Sequence, residues 1–397
     1  MTLEQMKSEL GLECVPEVFA SLYEQMKDTW EDRAALILSD GFITDVIEKS
    51  GQMTAYSEPI LTAAKGVREN SALCLLVCLL EGYMGLDTKP DDSYIAPKGE
   101  GVTYDILHLF PTLPAILKAI ENFRKRNVPE DVIANTIKTY TEAFDVTTQI
   151  NGKPIFSRQQ LIWKWGVIHN RFIRIDRFNY DTPSHFLENC NVYRSIDGKV
   201  AVLADKVRIH TSGRILGAAG CDDEDGSFYA EVLETDTYFE GHPFVNDRVE
   251  KETVRLPKPW WSLSLTPDDL VPRIHIPAEG KFDDETIGAA FNRAKTIFKE
   301  CFPDAPCKAF FCESWLLSHQ LKDFLKPDSK ILGFQKWFIK TPLKSGGEDV
   351  FDFAFSGHKI DREHLETWPE ETTLQRGVKQ LYLNGEFLHE GTGFFYI

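Results

Sequence analysis

Basic residues are scarce in this sequence. Its 44 lysines and arginines face 61 aspartates and glutamates, which gives a net charge of -17 over 397 residues. Such an acidic surface repels phosphate backbones and anionic lipids, so we expect no nucleic-acid partner and no membrane partner. Long apolar runs are missing too. The longest, residues 72–80, is much shorter than the roughly 20 residues that a transmembrane helix needs.

Closely spaced cysteines are also absent. The eight cysteines are scattered, and the nearest approach to a cluster, Cys301, Cys307 and Cys312, lacks the spacing of a zinc knuckle or a disulfide framework. The acidic run at 222–226 does not fit a calcium loop, because with Gly226 at its sixth place the loop would start at Cys221 and need a glutamate where Val232 stands. These patterns predict no metal and a reducing, cytoplasmic location. The N-terminal segment also lacks the features of a signal peptide.

The sequence does have enough apolar residues for two domains. Residues 1–150 read as a domain of five or six helices, because apolar residues recur at helical spacing, as at Leu73, Leu76, Val77 and Leu80. A turn-rich junction at 149–154 follows. The second domain is therefore predicted over 151–397.

The second domain begins with alternating apolar and polar residues, which predict an antiparallel meander over 167–265. A strand–helix–strand–helix unit is predicted over 271–325, and closing strands and helices over 331–397. The resulting fold class is α+β, with a helical N-terminal domain and a mixed β-sheet domain flanked by helices. In detail, we predict strands at 171–178, 273–276, 308–312, 331–339 and 350–355, and helices at 158–166, 283–300, 314–325 and 373–383.

The ends of the strands at 273–276 and 308–312 carry the candidate catalytic residues. His275 alternates with two isoleucines, so it lies on the opposite face of its strand, where it either lines a cleft or is a satisfied structural histidine. Cys312, Glu313 and Ser314 end the other strand. A thiol near a helix start can have a lowered pKa, whereas Ser314 could simply cap the helix. His319 could reach Cys312 only if that helix tilts.

The loop between the first of these strands and its helix is the candidate cofactor site. A helix N-terminus after a strand can bind phosphate, but Glu279, Asp283 and Asp284 oppose an anion there. A charge pair near 4 Å is worth roughly 4 kcal/mol, against about 0.3–1 kcal/mol from the helix end. Asp283 is expected to be the N-cap of the helix. The loop residues assigned to the cofactor are Pro277, Ala278, Gly280 and Lys281.

Several phrases of the sequence resemble a bacterial family of two-domain acyltransferase domain-containing proteins. They are H-I-P-A-E-G at 275–280, F-F-C-E-S-W-L-L at 310–317, T-L-Q-R at 373–376, F-E-G-H-P-F at 239–244 and G-T-G-F-F at 391–395. The resemblance implies an N-acyltransferase-type helical domain followed by a GNAT-like domain. It also implies that the strands at 273–276 and 308–312 splay apart and that the acyl donor enters the gap.

The resemblance favours an acyltransferase that moves an acyl group from a thioester of the acyl-CoA type to an unknown amine or hydroxyl. Acyl-CoA would be a co-substrate, and no tightly bound cofactor is expected. His275 or Glu313 would be the general base, and Ser314 or Cys312 would donate to the leaving thiolate. The alternative is a non-catalytic small-molecule or protein-binding module, because the 277–284 loop is acidic and lacks Q/R-x-x-G-x-G/A. A Cys312-dependent hydrolase ranks third. We interpret an R-x-x-G-x-A match at 214–219 as chance, because a helix does not follow it.

Overall fold

The computed structural model describes residues 1–91, 93–185, 188–277, 280–303, 307–355 and 360–397, with the backbone alone at 182–185 and 352. The chain divides into two compact units, Met1–Asp176 and Arg177–Ile397. The first is helical and the second contains the sheets, so the predicted α+β class is confirmed. The predicted domain boundary between residues 150 and 151 lies before this division, because one more helix and a short strand belong to the first unit.

The helical unit is built around one apolar helix. Its described helices are α1 (Leu3–Leu10), α2 (Val18–Met26), α3 (Trp30–Ile37), α4 (Asp40–Ser50), α5 (Ser57–Arg68), α6 (Ser71–Met84), α7 (Val102–Ile106), α8 (Leu113–Lys125), α9 (Glu130–Asn151) and α10 (Arg158–Ile168), followed by strand β1 (Phe172–Ile175). Helix α6 contains the 72–80 run, which is buried on every side, and it packs against α1, α2, α3 and α5. Its start is fixed by Asn70, whose side chain accepts from the Leu73 N–H at 2.9 Å. None of the helices in the described ranges has the length and apolarity needed to cross a membrane.

The sheet unit follows the predicted order of meander, strand, helix and strand. Its strands are β2 (Phe178–His185), β3 (Cys190–Ser195), β4 (Val200–Ala204), β5 (Val207–Ile209), β6 (Phe228–Ala230), β7 (Leu233–Glu234), β8 (Tyr238–Val245), β9 (Arg248–Val249), β10 (Val254–Pro257), β11 (Trp261–Leu265), β12 (Leu270–His275), β13 (Ala309–Ser314), β14 (Ile339–Thr341) and β15 (Gly391–Tyr396). Its helices are α11 (Asp284–Cys301), α12 (Lys330–Gln335), α13 (Asp349–Ala354) and α14 (Thr373–Leu383).

Two sheets pack face to face in this unit. In the first, β2, β12, β13, β15 and β14 are neighbours in that order, with β12 and β13 parallel and the other pairs antiparallel. The second contains β10, β8, β4, β3 and β11 in that order, and β7 and β9 also pair with β8. Apolar residues of both sheets form one buried cluster: Cys190, Val192, Val202, Leu265, Val271, Ala309, Phe311 and Phe394. Helix α11 covers the other face of the first sheet, where Phe298 meets Phe310 at 5.2 Å and Phe291 meets Phe395 at 4.6 Å between ring centroids.

Three predicted elements after residue 313 are wrong. The helix predicted at 314–325 is replaced by the end of β13 and two short 3₁₀ turns, Trp315–Leu317 and His319–Asp323. The strands predicted at 331–339 and 350–355 are mainly the helices α12 and α13. Ser329 starts α12, because its side chain accepts from the Ile331 N–H at 3.3 Å.

Candidate active site

Strands β12 and β13 separate at their C-terminal ends. They pair in parallel through Arg273 with Phe311 and Ile274 with Cys312. Beyond these pairs, His275 is opposite Asn179 of β2, and Glu313 is opposite Thr392 of β15. Where β12 and β13 separate, β12 therefore stays paired with β2, and β13 stays paired with β15. The C-terminal ends of parallel strands are the usual binding edge of an open α/β sheet, so this gap is the candidate active site.

Charged side chains share one sheet face at this gap. Arg273 and His275 are two residues apart on β12, and Asp181 lies opposite Arg273 on β2, so all three are on the same face. His275 Nε2 lies 3.9 Å from Asp181 Oδ2, and Arg273 Nη2 lies 3.3 Å from Glu313 Oε2. These side chains are partly exposed, between 24% and 36%, although the His275 Nε2 atom itself is buried. The structure thus places His275 and Glu313 on the two sides of the gap.

Cys312 faces the protein interior. Its side chain is fully buried, and burial raises the pKa of its thiol to about 12, although the charge of Arg273 acts in the opposite direction. A thiolate is the nucleophilic form of cysteine. Cys312 is therefore a neutral thiol at physiological pH, which is unfavourable for covalent catalysis.

Ser314 caps the turn that follows it, which was one of the two roles expected for this residue. Its hydroxyl oxygen accepts from the Leu316 N–H at 3.1 Å at the start of the first 3₁₀ turn. The hydroxyl proton is not used by that bond, so Ser314 can still donate one at the end of β13.

The candidate cofactor loop carries acidic residues on the helix side. Asp283 is the N-cap of α11 and accepts from the Thr286 N–H at 2.9 Å, and this hydrogen bond holds the pKa of Asp283 below its usual value. The first turn of the helix adds Asp284 and Glu285. Because like charges repel, this helix end is unfavourable for a diphosphate.

The structure describes three of the four residues assigned to the cofactor in this loop. Gly280 has φ +96, a conformation that favours glycine, and the Lys281 carbonyl accepts from Arg177 Nε at 3.0 Å. Pro277 follows the end of β12 directly. Ala278 and Glu279 lie outside the described residues.

His319 pairs with Asp247, and not with Cys312. Asp247 is on a two-residue turn between β8 and β9, where φ is +51 at Asn246 and +62 at Asp247. Asn and Asp tolerate the left-handed conformation that such a turn requires. From there Asp247 Oδ2 forms an ion pair with His319 Nδ1, and Lys340 Nζ lies 3.9 Å from Asp247 Oδ1. Burial would raise the pKa of Asp247, but the hydrogen bond from His319 and the charges of Lys340 and Arg214 outweigh it, and the pKa is lowered.

A small cavity of about 30 Å³ adjoins this ion pair. Burial, together with the charges of Arg214 and His319, lowers the pKa of His389 to about 4, so its imidazole is neutral at physiological pH. Burial raises the pKa of Glu390, and the charges of Asp349 and Glu313 act in the same direction. Glu390 immediately precedes β15, which pairs with β13 at the gap. The cavity is lined by Gly213, Arg214, Ile215, Phe244, Asp247, His319, Thr341, Pro342, Leu343, His389, Glu390 and Gly391.

The sequence analysis missed most of the residues that line this cavity. Asp247 and His389 belong to segments far apart in the chain, and neither carries a motif of its own. The nearest signals were the R-x-x-G-x-A match, which begins with Arg214, and the two phrases at 239–244 and 391–395, which adjoin the cavity. No helix follows that match in the structure: residues 214–221 form turns before β6.

The chain belongs to the family with a GNAT-like C-terminal domain, because residues 173–395, more than half of the sequence, match that family. This confirms the resemblance inferred from the sequence. Among curated proteins, the sequence comparison finds no match.

Similar solved structures have the same overall fold. One is described as an acyltransferase in complex with decanoyl-CoA and teicoplanin, at 16% identity, with a TM-score of 0.63 over 100% of this chain and 99% of that chain. A second, described as an acyltransferase mutant in complex with octanoyl-CoA, has 15% identity and a TM-score of 0.63 over 100% of both chains. A third, in complex with decanoyl-CoA, has 17% identity and a TM-score of 0.61 over 100% of both chains.

Proposed function

We propose that this protein is an acyltransferase that moves an acyl group from acyl-CoA to an amine or hydroxyl acceptor. The observation that carries the proposal is the separation of β12 and β13, with His275 and Glu313 on its two sides. The fold shared with acyltransferases that are described as binding decanoyl-CoA and octanoyl-CoA supports it. The three carboxylates at the start of α11 oppose a diphosphate, so the proposal concerns the thioester end of the donor.

The proposed reaction is a direct transfer. The acceptor nitrogen or oxygen attacks the thioester carbonyl carbon, a new C–N or C–O bond forms, and the C–S bond breaks. His275, with Asp181 at 3.9 Å, takes the proton of the acceptor. The leaving thiolate takes a proton from the Ser314 hydroxyl, and the proton on His275 restores that hydroxyl.

The other candidates suit these roles less well. Glu313 is already engaged by Arg273, whose Nη2 lies 3.3 Å from Glu313 Oε2. Cys312 is buried as a neutral thiol, so an acyl-enzyme on Cys312 is not part of the proposal.

Calorimetric titration with decanoyl-CoA tests the donor half of the proposal, and coenzyme A release with primary amines or water as acceptors tests the chemistry. We expect His275→Ala to lower kcat by roughly 10²-fold, because a general base typically contributes 10²–10⁴-fold, and to leave decanoyl-CoA affinity unchanged. His364→Ala is the matched control, since His364 is exposed and pairs with Asp361 at 2.9 Å.

Two results would contradict the proposal. Absence of decanoyl-CoA binding at millimolar concentration would favour the non-catalytic binding module, to which the acidic loop points. Binding with equal kcat in the wild type and in His275→Ala would place the base at another residue.

A further inference from the structure

The cavity beside Asp247 and His319 has a different character from the gap between β12 and β13. Five separate segments of the sheet unit contribute to it: 213–215, 244–247, His319, 341–343 and 389–391. Its volume of about 30 Å³ exceeds the roughly 10–15 Å³ that one water molecule needs by the same measure. It therefore has room for a small polar group at the end of a ligand.

The acids of this cavity are already engaged. Asp247 is paired with His319 and has Lys340 at 3.9 Å. Glu390 Oε1 accepts from the Asp349 N–H at 3.1 Å, and burial raises the pKa of Glu390. Both carboxylates thus have partners that offset their repulsion of an incoming anion.

Two donors of the cavity are not engaged in this way. The half-buried Arg214 guanidinium makes no side-chain hydrogen bond or ion pair to the described residues, and the charge of Asp247 acts on it from a distance. His389 is 8% exposed, and its Nδ1 is buried with no hydrogen-bond partner in the described part of the chain. Its backbone N–H donates to Gln320 Oε1 at 2.9 Å, which fixes the position of the residue. A buried polar atom without a partner is costly unless a ligand satisfies it.

We propose that Arg214 and His389 bind a carboxylate of the acyl acceptor in this cavity, so that the acceptor is an amino acid or a short peptide. This inference rests on the proposed acyltransferase function. A guanidinium binds a carboxylate through two parallel N–H donors, and a neutral imidazole adds one N–H. The cavity has room for a carboxylate head group.

The sheet geometry also limits the acceptor. The reaction would occur between β12 and β13, and Glu390 immediately precedes β15, the next strand. Gly391, which lines the cavity, is opposite Ser314 at the end of β13, so at least one strand spacing, roughly 5 Å, separates the cavity from the gap. Glycylglycine, in which one peptide unit separates the amine from the carboxylate, spans about that distance.

Calorimetry with a matched pair of product analogues tests this inference without knowledge of the natural acceptor. The pair is N-decanoylglycylglycine and its C-terminal amide, which differ only in the carboxylate. We expect the wild type to bind the acid at least 10-fold more tightly than the amide and Arg214→Gln to reduce this ratio to about one. Arg248→Gln is the control, since Arg248 is an exposed arginine on the neighbouring strand β9 and it does not line the cavity.

Arg214→Lys separates the effect of the positive charge from that of the guanidinium geometry. It also replaces Arg214→Gln as the test if that variant fails to fold. It keeps the charge without the two-pronged donor, so we expect a ratio between those of the wild type and Arg214→Gln. Equal binding of acid and amide by the wild type would overturn the inference. Loss of decanoyl-CoA affinity in Arg214→Gln would also overturn it, because the anion would then be a phosphate of the donor. A preserved preference for the acid without decanoyl-CoA binding would uphold the carboxylate site and reject the acyl-CoA donor.

Discussion

Each unit of the protein buries a histidine, and the two histidines differ in their partners. In the helical unit, His108 Nε2 lies 3.1 Å from the Tyr94 hydroxyl. In the sheet unit, His389 Nδ1 has no hydrogen-bond partner among the described residues. Burial lowers the pKa of both to about 4, so both are neutral at physiological pH. The pKa therefore does not distinguish them, whereas the hydrogen-bond inventory does.

A buried lysine and a half-buried arginine show the same contrast. Lys164 in the helical unit is fully buried, and its Nζ donates to the carbonyl and hydroxyl oxygens of Thr139, each at 2.9 Å. Arg214 in the sheet unit lacks such bonds to the described residues. Donors that are satisfied within the protein stabilise the fold, whereas donors left unsatisfied beside a cavity are available to a ligand. This difference is the reason for placing ligand binding in the sheet unit.

The largest effect that we expect concerns the thiols of the two units. Cys14 is exposed in the helical unit, whereas Cys312 is buried and burial raises its pKa to about 12. Because alkylation requires the thiolate, iodoacetamide at pH 8 should label Cys312 at least 10³-fold more slowly than Cys14. Peptide mass spectrometry measures both rates, and denatured protein is the control. Rapid labelling of native Cys312 with loss of turnover would instead support a Cys312-dependent hydrolase.

The next effect is a loss of stability in acid. The folded pKa of His108 and of His389 is about 4, below the usual value near 6.5 for an unfolded chain. Between these values the unfolded state binds the extra proton, so the free energy of unfolding falls as the pH falls from 6.5 to 4, by about 3 kcal/mol for each histidine. Urea unfolding at several pH values measures it. His108→Leu and His389→Leu should each flatten the curve, and an unchanged slope in both variants would contradict the assignment.

The variants His108→Leu and His389→Leu also allow the stability contributions of the two histidines to be compared at pH 7. His108→Leu leaves the buried Tyr94 hydroxyl without this partner, so we expect a loss of about 1–3 kcal/mol. His389→Leu removes an atom without a partner, so we expect a loss below about 1 kcal/mol. Urea unfolding free energies give both values. Equal losses would contradict the distinction between the two units.

The smallest effect is expected at the surface, where the two units should behave alike. Arg124 pairs with Glu130 at 2.7 Å in the helical unit, and Arg255 pairs with Glu240 at 2.8 Å in the sheet unit. Exposed ion pairs contribute little to stability because solvent screens them. Arg124→Ala and Arg255→Ala should both leave the thermal midpoint unchanged within error. A clear shift in only one of them would show that surface charge also separates the units.

Much of the sheet unit could be predicted, because its strongest signals are local. The alternation around His275 and the cap at Asp283 each depend on a few adjacent residues, and each has its predicted structure. The strand predicted at 331–339 is wrong, because residues 330–335 form helix α12. In α12, Phe334 packs on Phe282 at 5.0 Å and on Phe338 at 4.8 Å, so tertiary packing overrode the local pattern.

The candidate site could be predicted only in part. The polar ends of β12 and β13 are visible because each follows directly on an apolar strand. The pairing of Asp247 with His319 joins a hairpin turn to a 3₁₀ turn that lies more than 70 residues later. No spacing rule links two such positions. Arg214 and His389 stand out only because their side chains lack hydrogen-bond partners among the described residues, and a sequence does not show hydrogen bonds.

The position of β15 determines when this unit can be completed during synthesis. β15 is formed by residues 391–396, yet it lies between β13 and β14 in the sheet. Until that segment leaves the ribosome, β13 and β14 each expose an unpaired backbone edge, which is a template for aggregation. His389 and Glu390 emerge just before β15. The nascent chain would therefore gain the cavity beside Asp247 and His319 in the same step that closes its sheet, and the helical unit would already have had time to fold.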